Sequence, residues 1–422
     1  MSKTTKQLHV NTSFSAKRNW LSVGVLLVLL SLVYTARAQE GSQGNTTIFG
    51  GAQMSFFSNH NFQTGGGGAQ PGVILTERAT NNFGILNFVG DNLTSTGASN
   101  TGYVDGYVRK YGAGQFIFPV GDNGNVGQFA ASADGTMGAY FFANPATART
   151  SNLFTGTDYP VLPTGGPFPI GMATRGPGIK AVSNVEYWDI DGTTATPITL
   201  TWDAGSNVAG LTGSILSSLT IVGWNGTDWV RIPSTVDATS ILGGASTVTG
   251  GSITSILPVI PNTYTAYTLA GVGADLTPRI TVDPGVVHGV TQLEVVLAAV
   301  EVGGVVATDG SQITLRVAKN PLISGFTYNP LQTTAANGLS VQNNIWTVSE
   351  DASYYIFRTS TVIPRSSQRR LLFYVTLTPG STEGAFPWPV SIPAGTPPAP
   401  GSGGEVNYLN NQDSDVIQFF QN

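Results

Sequence analysis

Beyond residue 38 this 422-residue chain has two histidines, His60 and His288, and no cysteine anywhere. General acid–base work near neutral pH leans on imidazole, and most transition-metal sites lean on imidazole or thiolate. A cysteine nucleophile is therefore excluded, a zinc site would need mostly carboxylates, and no G-x-S-x-G elbow is present for a serine hydrolase. Both histidines are expected in exposed loops of different domains. Carboxylates are the remaining catalytic currency, and Glu186, Asp189, Asp191 and Asp203 are the candidates for a glycosidase pair, which needs two carboxyl groups about 5–10 Å apart. In the segment 185–191 (VEYWDID), a strand puts Asp189 and Asp191 on one face with Val185 and Tyr187, and Glu186 and Trp188 on the other. Asp191-Gly192 also has hairpin-turn chemistry, so catalysis is the least favoured reading.

Two glycine clusters, at 112–114 (GAG) and 121–125 (GDNGN), pose a ligand question of their own. A phosphate-cradling loop needs a strand before it and a helix after it, but residues 115–120 read as another strand. Asp122 offers oxygen to Ca²⁺, as do Asp413 and Asp415, yet the 121–125 loop lacks the alternating acids and closing Glu of a calcium loop. Turn chemistry accounts for both clusters.

Aromatic residues supply one more candidate. Trp188, Trp202, Trp224 and Trp229 fall within 42 residues, and the last two flank an Asn225-Gly226 turn on the same side of a hairpin. Exposed flat rings beside Asn and Asp would grip a sugar, with Trp224, Trp229, Trp188 and Asp189 as binding residues. In the preferred alternative both indoles are core, and the face carrying Ile221, Val230 and Ile232 meets a second sheet.

The elements positioning these residues are strands. Apolar runs alternate with period two between Gly, Asn, Asp and Pro, as in SQITLRVAK (311–319) and RLLFYVTLT (370–378). Segments 104–110 and 115–120 read as strands joined by a hairpin loop at 111–114. Three regions follow: a Gly/Asn/Thr-rich β region at 39–103 with a flexible glycine run at 65–68, a sandwich-like module at 104–274, and an immunoglobulin-like sandwich at 277–422. A Pro/Gly-rich excursion at 160–178 reads as a long loop inside the second region. Residues 387–404 read as a proline-rich loop before a final strand near 416–420. The fold class expected is all-β, with tandem antiparallel sandwich-like domains.

Residues 1–38 have the parts of an export leader: Lys3, Lys6, Lys17 and Arg18, then LSVGVLLVLLSLV at 21–33, then Ala36-Arg37-Ala38. The apolar run is short of the roughly 20 residues a membrane span needs. No transmembrane segment is expected after cleavage. Of 19 basic and 24 acidic residues, cleavage removes five basic and no acidic ones, leaving a net charge of −10. Arg365, Arg369 and Arg370 form the only basic cluster, so nucleic acid is not an expected partner.

Residues 106–108 (GYV), 116–122 (FIFPVGD), 186–188 (EYW), 200–203 (LTWD), 224–229 (WNGTDW) and 265–269 (TAYTL) occur in an order that resembles a poorly characterised β-rich module of secreted and surface proteins of Bacteroidetes-type bacteria. The resemblance implies export and a surface setting and brings no catalytic residues. Such proteins often end in a type IX sorting domain, which residues 406–422 do not resemble. The expectation is a non-enzymatic structural or adhesive protein of the cell envelope, extracellular, on the outer surface or in the periplasm. Its expected partners are a surface glycan, another envelope protein, or a second copy joined by addition of the terminal domain's last strand. A carbohydrate-binding protein is the alternative, and no cofactor is expected beyond a candidate Ca²⁺.

Overall fold

The computed structural model describes residues 39–41, 44–62, 72–78, 82–147, 162–393 and 402–421. The leader and the 65–68 glycine run lie outside these residues. Short strands separated by Gly, Asn and Asp corners leave no room for helical crossovers, which parallel neighbours ordinarily need. The chain solves this by winding. Its first coil is Gln39–Gly41, Thr46–Ile48 and Gln53–Phe56; the second is Asn59–Asn61, Ile74–Thr76 and Ile85–Val89; the third is Ser95–Thr96, Val104–Asp105 and Tyr107–Tyr111. Each strand pairs in parallel with its counterpart one coil away, giving three parallel faces. Ile48, Phe62, Ile74, Leu86, Phe88, Val104 and Val108 fill the interior.

The third coil is also the seam. Tyr107–Tyr111 is parallel to Ile85–Val89 on one side and antiparallel to Met137–Phe141 on the other. The same sheet then runs on through Tyr187–Asp191, Tyr267–Val272, Leu219–Trp224 and Trp229–Ile232. A second sheet, Phe116–Phe118, Phe129–Ala131, Thr199–Trp202, Gly251–Ser255 and Ser234–Val236 in sequence-independent order, closes the sandwich, and one core continues from Ile48 to Leu269. Residue 103 is therefore not a break in hydrogen bonding: the expected regions 39–103 and 104–274 share a sheet and a core.

Two expected hairpins are instead arches between sheets. Tyr107–Tyr111 and Phe116–Phe118 do not pair with each other, and the 112–114 corner stacks on the 90–92 corner of the coil below. Gly112 there has φ +94, and a Cβ on it would lie 2.6 Å from the Gly90 carbonyl oxygen, so only glycine fits. Asp191-Gly192 likewise ends its strand and sends the chain to the opposite sheet, with the Gly192 N–H donating to Asn262 Oδ1 at 2.8 Å. The second glycine cluster is a hairpin: Asn123 and Gly124 take positive φ between Val120–Asp122 and Asn125–Val126.

The last region is a two-sheet sandwich in the expected immunoglobulin-like general plan. One sheet orders Leu276–Asp283, Thr291–Glu301, Gln368–Leu377 and Ile323–Thr327; the other orders Val286–His288, Gln412–Phe420, Gly384–Ser391, Ile313–Ala318, Tyr354–Thr359 and Thr347–Glu350. The alternation expected for 311–319 and 370–378 holds, with Ile313, Leu315, Val317, Leu371, Phe373, Val375 and Leu377 buried between the sheets. Pro278 sits on an edge strand, where its missing N–H is tolerated.

Two details differ from expectation. The segment expected as a loop from 387 begins as strand, because Gly384–Ser391 pairs along its length with the final strand and meets Ile313–Ala318 only at Val390 and Ser391, leaving Pro387 and Pro389 on an otherwise open side. The final strand, expected to be available for donation, is paired within the chain along Gln412–Phe419 with Gly384–Ser391, and its other edge meets the parallel Val286–His288 at 418–420. Among the described residues no helix is long and apolar enough to cross a membrane.

Candidate functional site: a carboxyl pocket beside the third coil

Strand Tyr187–Asp191 distributes its side chains as its alternation predicts. Trp188 and Ile190 enter the core between the sheets, and Tyr187 enters a second apolar cluster on the outer face of the long sheet. Glu186, on the Trp188 side, accepts a hydrogen bond from Tyr140 Oη at 2.7 Å. Burial pushes its carboxyl up to about 7. Asp203 caps a short 3-10 turn, accepting from the Gly205 N–H at 2.7 Å. The four carboxylate candidates therefore fall into two pairs on opposite sides of the sheet: Glu186 lies near enough to Asp203 to be raised by its charge, and Asp189 and Asp191 share a cavity.

These two line a cavity of about 320 Å³ with Phe83, Tyr107, Asn262 and Tyr264. Two residues apart on one strand face, their Cα atoms stand about 6.6 Å apart by strand geometry. Tyr107 Oη donates to Asp189 Oδ2 at 2.7 Å. Asp189 is buried, and that burial, followed by the charge of Asp191, holds its carboxyl well above the usual carboxylate range. Asp191 is partly exposed at the rim; burial raises it and Arg109 opposes the rise. Phe83 stacks on Tyr107 at 4.1 Å, while Tyr264 covers Gly223, where a Cβ would strike its ring. The cavity thus offers two carboxyls, two phenols and an amide between apolar rings, a set suited to polyhydroxylated ligands.

The tryptophans are elsewhere. Trp224 and Trp229 are directly paired on one side of their hairpin, with Ile221 and Ile232 in the core on the other, which is the arrangement preferred from sequence. Their rings are not a sugar platform: Trp224 is 6% exposed and Trp229 0%. The Pro/Gly-rich excursion covers them. Phe168 packs on both indoles, at 6.0 and 6.3 Å, and Trp229 Nε1 donates to the Pro169 carbonyl at 2.9 Å. Tyr187 Oη ties the same excursion down through the Leu162 carbonyl at 2.6 Å. Trp188 is fully buried and donates to the Gly127 carbonyl at 2.7 Å.

The candidate calcium ligands are engaged by the protein itself. Asp122 is buried, with Arg78 Nη2 at 3.3 Å and the Phe142 N–H at 3.0 Å, and the same guanidinium meets Asp105. A fixed cation already stands where Ca²⁺ would. Asp413 and Asp415 accept backbone N–H groups of Ile280 (3.0 Å) and Val282 (2.8 Å), capping the outer edge of Leu276–Asp283. His60 corrects the loop expectation: it is 1% exposed inside the winding, stacked on Phe56 at 4.5 Å, and burial lowers it to about 4. His288 is exposed, as expected, but sits on the strand Val286–His288 instead of in a loop, and stacks on Phe420 at 5.2 Å.

Sequence reasoning missed Phe83, Tyr107, Asn262 and Tyr264 as companions of Asp189, because Phe83 and Asn262 are 179 positions apart in the chain and only sheet order unites them. It also missed Arg78, whose signal was a lone arginine ending an apolar run. No family model matches the chain, and no curated protein does. Solved structures give weak likenesses. The N-terminal domain of a Streptococcus gordonii adhesin is 11% identical, covering 72% of this chain and 78% of that one, at a TM-score of 0.27. The CARDB domain of a Pyrococcus furiosus protein solved with di-metal ions is 17% identical, covering 35% and 90%, at 0.22. The C-terminal domain of a Streptococcus pyogenes antigen I/II-family protein is 10% identical, covering 54% and 94%, at 0.23. Scores this low fall short of a shared fold, and the all-β sandwich architecture rests on the chain's own sheets.

Proposed function

We propose that this chain is an exported structural or adhesive component of the cell envelope, without catalytic activity, that displays loops from a stiff β framework. The observation that carries the reading is the junction between the two sandwiches. Three residues separate Tyr267–Val272 from Leu276–Asp283, and the chain's own 402–411 segment clamps them. Buried Glu405 accepts the N–H groups of Leu276 and Asn407, the Val406 N–H donates to the Ala274 carbonyl at 3.2 Å, and Asp275 accepts from the side-chain amides of Asn407 (3.1 Å) and Asn410 (2.7 Å). Polar groups spent on fixing one geometry suit a scaffold, whereas a catalytic cleft between domains needs its hinge free. Antibody labelling of intact cells, paired with attachment assays on a deletion strain, tests the reading. Surface labelling and reduced attachment are expected; an exclusively cytoplasmic protein would overturn it.

A second reading has its own support, the Asp189/Asp191 cavity, which takes over the carbohydrate role once considered for the tryptophan hairpin. In this reading a sugar's hydroxyls bond to Asp191 and Asn262 while Tyr264 and Phe83 flank its ring. Calorimetric titration with a polysaccharide panel, against Asp191→Asn, tests it: heat lost in the variant supports the site. Release of reducing ends that depends on Asp189 would instead establish a glycosidase.

A further inference from the structure

The first coil of the winding is the outermost member of all three parallel faces at once. Among the described residues no strand pairs with the outer edge of Gln39–Gly41, Thr46–Ile48 or Gln53–Phe56. The opposite end continues into the sandwich on two of the three faces, since the third coil passes into antiparallel pairing with Met137–Phe141 and Val104–Asp105 pairs with Val120–Asp122, while the two-residue Ser95–Thr96 ends the remaining face. Open strand edges present unpaired N–H and C=O groups, and proteins ordinarily blunt them with charge or proline. Repeat arrays ordinarily end in a polar cap. Here residues 41–62 (GSQGNTTIFGGAQMSFFSNHNF) contain no Lys, Arg, Asp, Glu or Pro, and Glu40, in the strand Gln39–Gly41, is the one charge among the three open strands. Phe49 and Phe57, each directly following a first-coil strand, are 67% and 71% exposed.

We infer that this coil end is an interaction surface and that its occupant is a second copy of the chain, docked end to end about a twofold axis. The chemistry favours a copy over an unrelated partner. Glu40 is the one charge on this edge, and a twofold axis that pairs the Thr46–Ile48 or Gln53–Phe56 face with its own copy antiparallel exchanges the other two, so Glu40 meets an uncharged strand of the other molecule. The three strands, of 3, 3 and 4 residues, are matched in length for that exchange. Among the described residues only the first-coil end of the winding is open on all three faces, so the contact is isologous and closes at two instead of growing into fibres. Phe49 and Phe57 would be covered in the dimer. The inference concerns the opposite end of the molecule from the expected last-strand exchange and stands apart from the envelope reading.

The test is sedimentation of the chain from Gln39 to Asn422 over a wide concentration range, with hydrogen exchange read at 46–48 and 53–56. A reversible dimer is expected, with protection gained only in the dimer at those amides of 46–48 and 53–56 that face away from the second coil, the Thr46 N–H already donating to the Val73 carbonyl at 3.0 Å. Phe49→Lys/Phe57→Lys, substitutions at exposed positions, should weaken dimerisation by at least about tenfold, with circular dichroism and melting unchanged. Val416→Lys/Phe420→Lys, on the exposed face of the other sandwich, should leave it intact. A monomer at every concentration, a dimer indifferent to the Phe49/Phe57 pair, or edge amides already protected in the monomer by the chain's own residues would each overturn the inference.

Discussion

The two sandwiches satisfy their buried carboxylates differently. The first holds charge in its interior: Arg78, Asp105 and Asp122 are fully buried at the seam between winding and sandwich, and Glu186 and Asp189 are buried on either face of one strand. The C-terminal sandwich also buries carboxylates, Glu294, Glu301 and Glu405, but holds them outside its aliphatic and aromatic core, where Asp413, Asp415, Glu301 and Glu405 accept backbone N–H groups. The contrast follows from topology. A regular antiparallel sandwich satisfies its backbone internally and needs acceptors only at edges, while a winding that becomes a sandwich breaks its ladders at the seam and fills the gap with side chains.

The sharpest way to break the comparison is to remove the buried cation. Arg78→Met leaves Asp105 and Asp122 facing each other out of water, and should destabilise the first sandwich by about 3–5 kcal/mol. Denaturant unfolding followed by tryptophan fluorescence should then show an early transition with the C-terminal sandwich still folded. A single unshifted transition would mean the seam does not depend on this pair. Next in size, Phe168→Ala should cost about 3–4 kcal/mol by opening a cavity over Trp224 and Trp229, and should red-shift emission. In the wild type, all six tryptophans beyond residue 38 are at most 6% exposed, so no glycan should move that emission.

Glu405→Ala strands the Leu276 N–H and should cost about 2 kcal/mol, read as looser coupling of the two unfolding transitions. The pH dependence has a definite sign. Glu186 and Glu405 are raised by burial to about 7 and about 8, and burial also raises Asp105, with Arg78 opposing and Asp122 adding to the rise. The folded chain therefore holds protons that the unfolded chain has released. The carboxyl contribution is full below the ordinary carboxylate range and falls as pH rises through about 7–8, whereas His60, lowered by burial to about 4, contributes stability that is lost as pH falls from about 6.5 toward 4. Denaturation midpoints should be lower at pH 8.5 than at pH 5, and Glu186→Gln should flatten the slope. The smallest effect belongs to the edge caps: Asp413→Asn and Asp415→Asn should each cost about 1 kcal/mol. Added Ca²⁺ should leave the melting temperature where it is, and a calcium-dependent rise lost in these variants would restore the metal reading.

Much of the local structure was legible. Period-two alternation assigned Trp188 and Asp189 to opposite faces, placed both hairpin tryptophans on one side, and marked Ile313 to Val317 and Leu371 to Leu377 as core-facing, because a pleated strand turns every second side chain the same way whatever lies beside it. Asn123-Gly124 announced its turn for an equally local reason, since both residues accept positive φ. His60 was misplaced because a short polar segment, SNHNF, reads as loop until neighbouring coils enclose it.

By itself, then, the sequence determined that this is a strand-built chain, where most strands lie and which side chains each turns inward. Only the tertiary structure decided which strands are neighbours, that the first nine wind in parallel, that 162–182 lies over the tryptophans, and that Asp189 meets Tyr107, Tyr264 and Asn262. The reason is physical: alternation is a property of one strand, while the backbone groups that select a partner and its direction are the same at nearly every residue, so the choice falls to contacts between segments far apart in the chain.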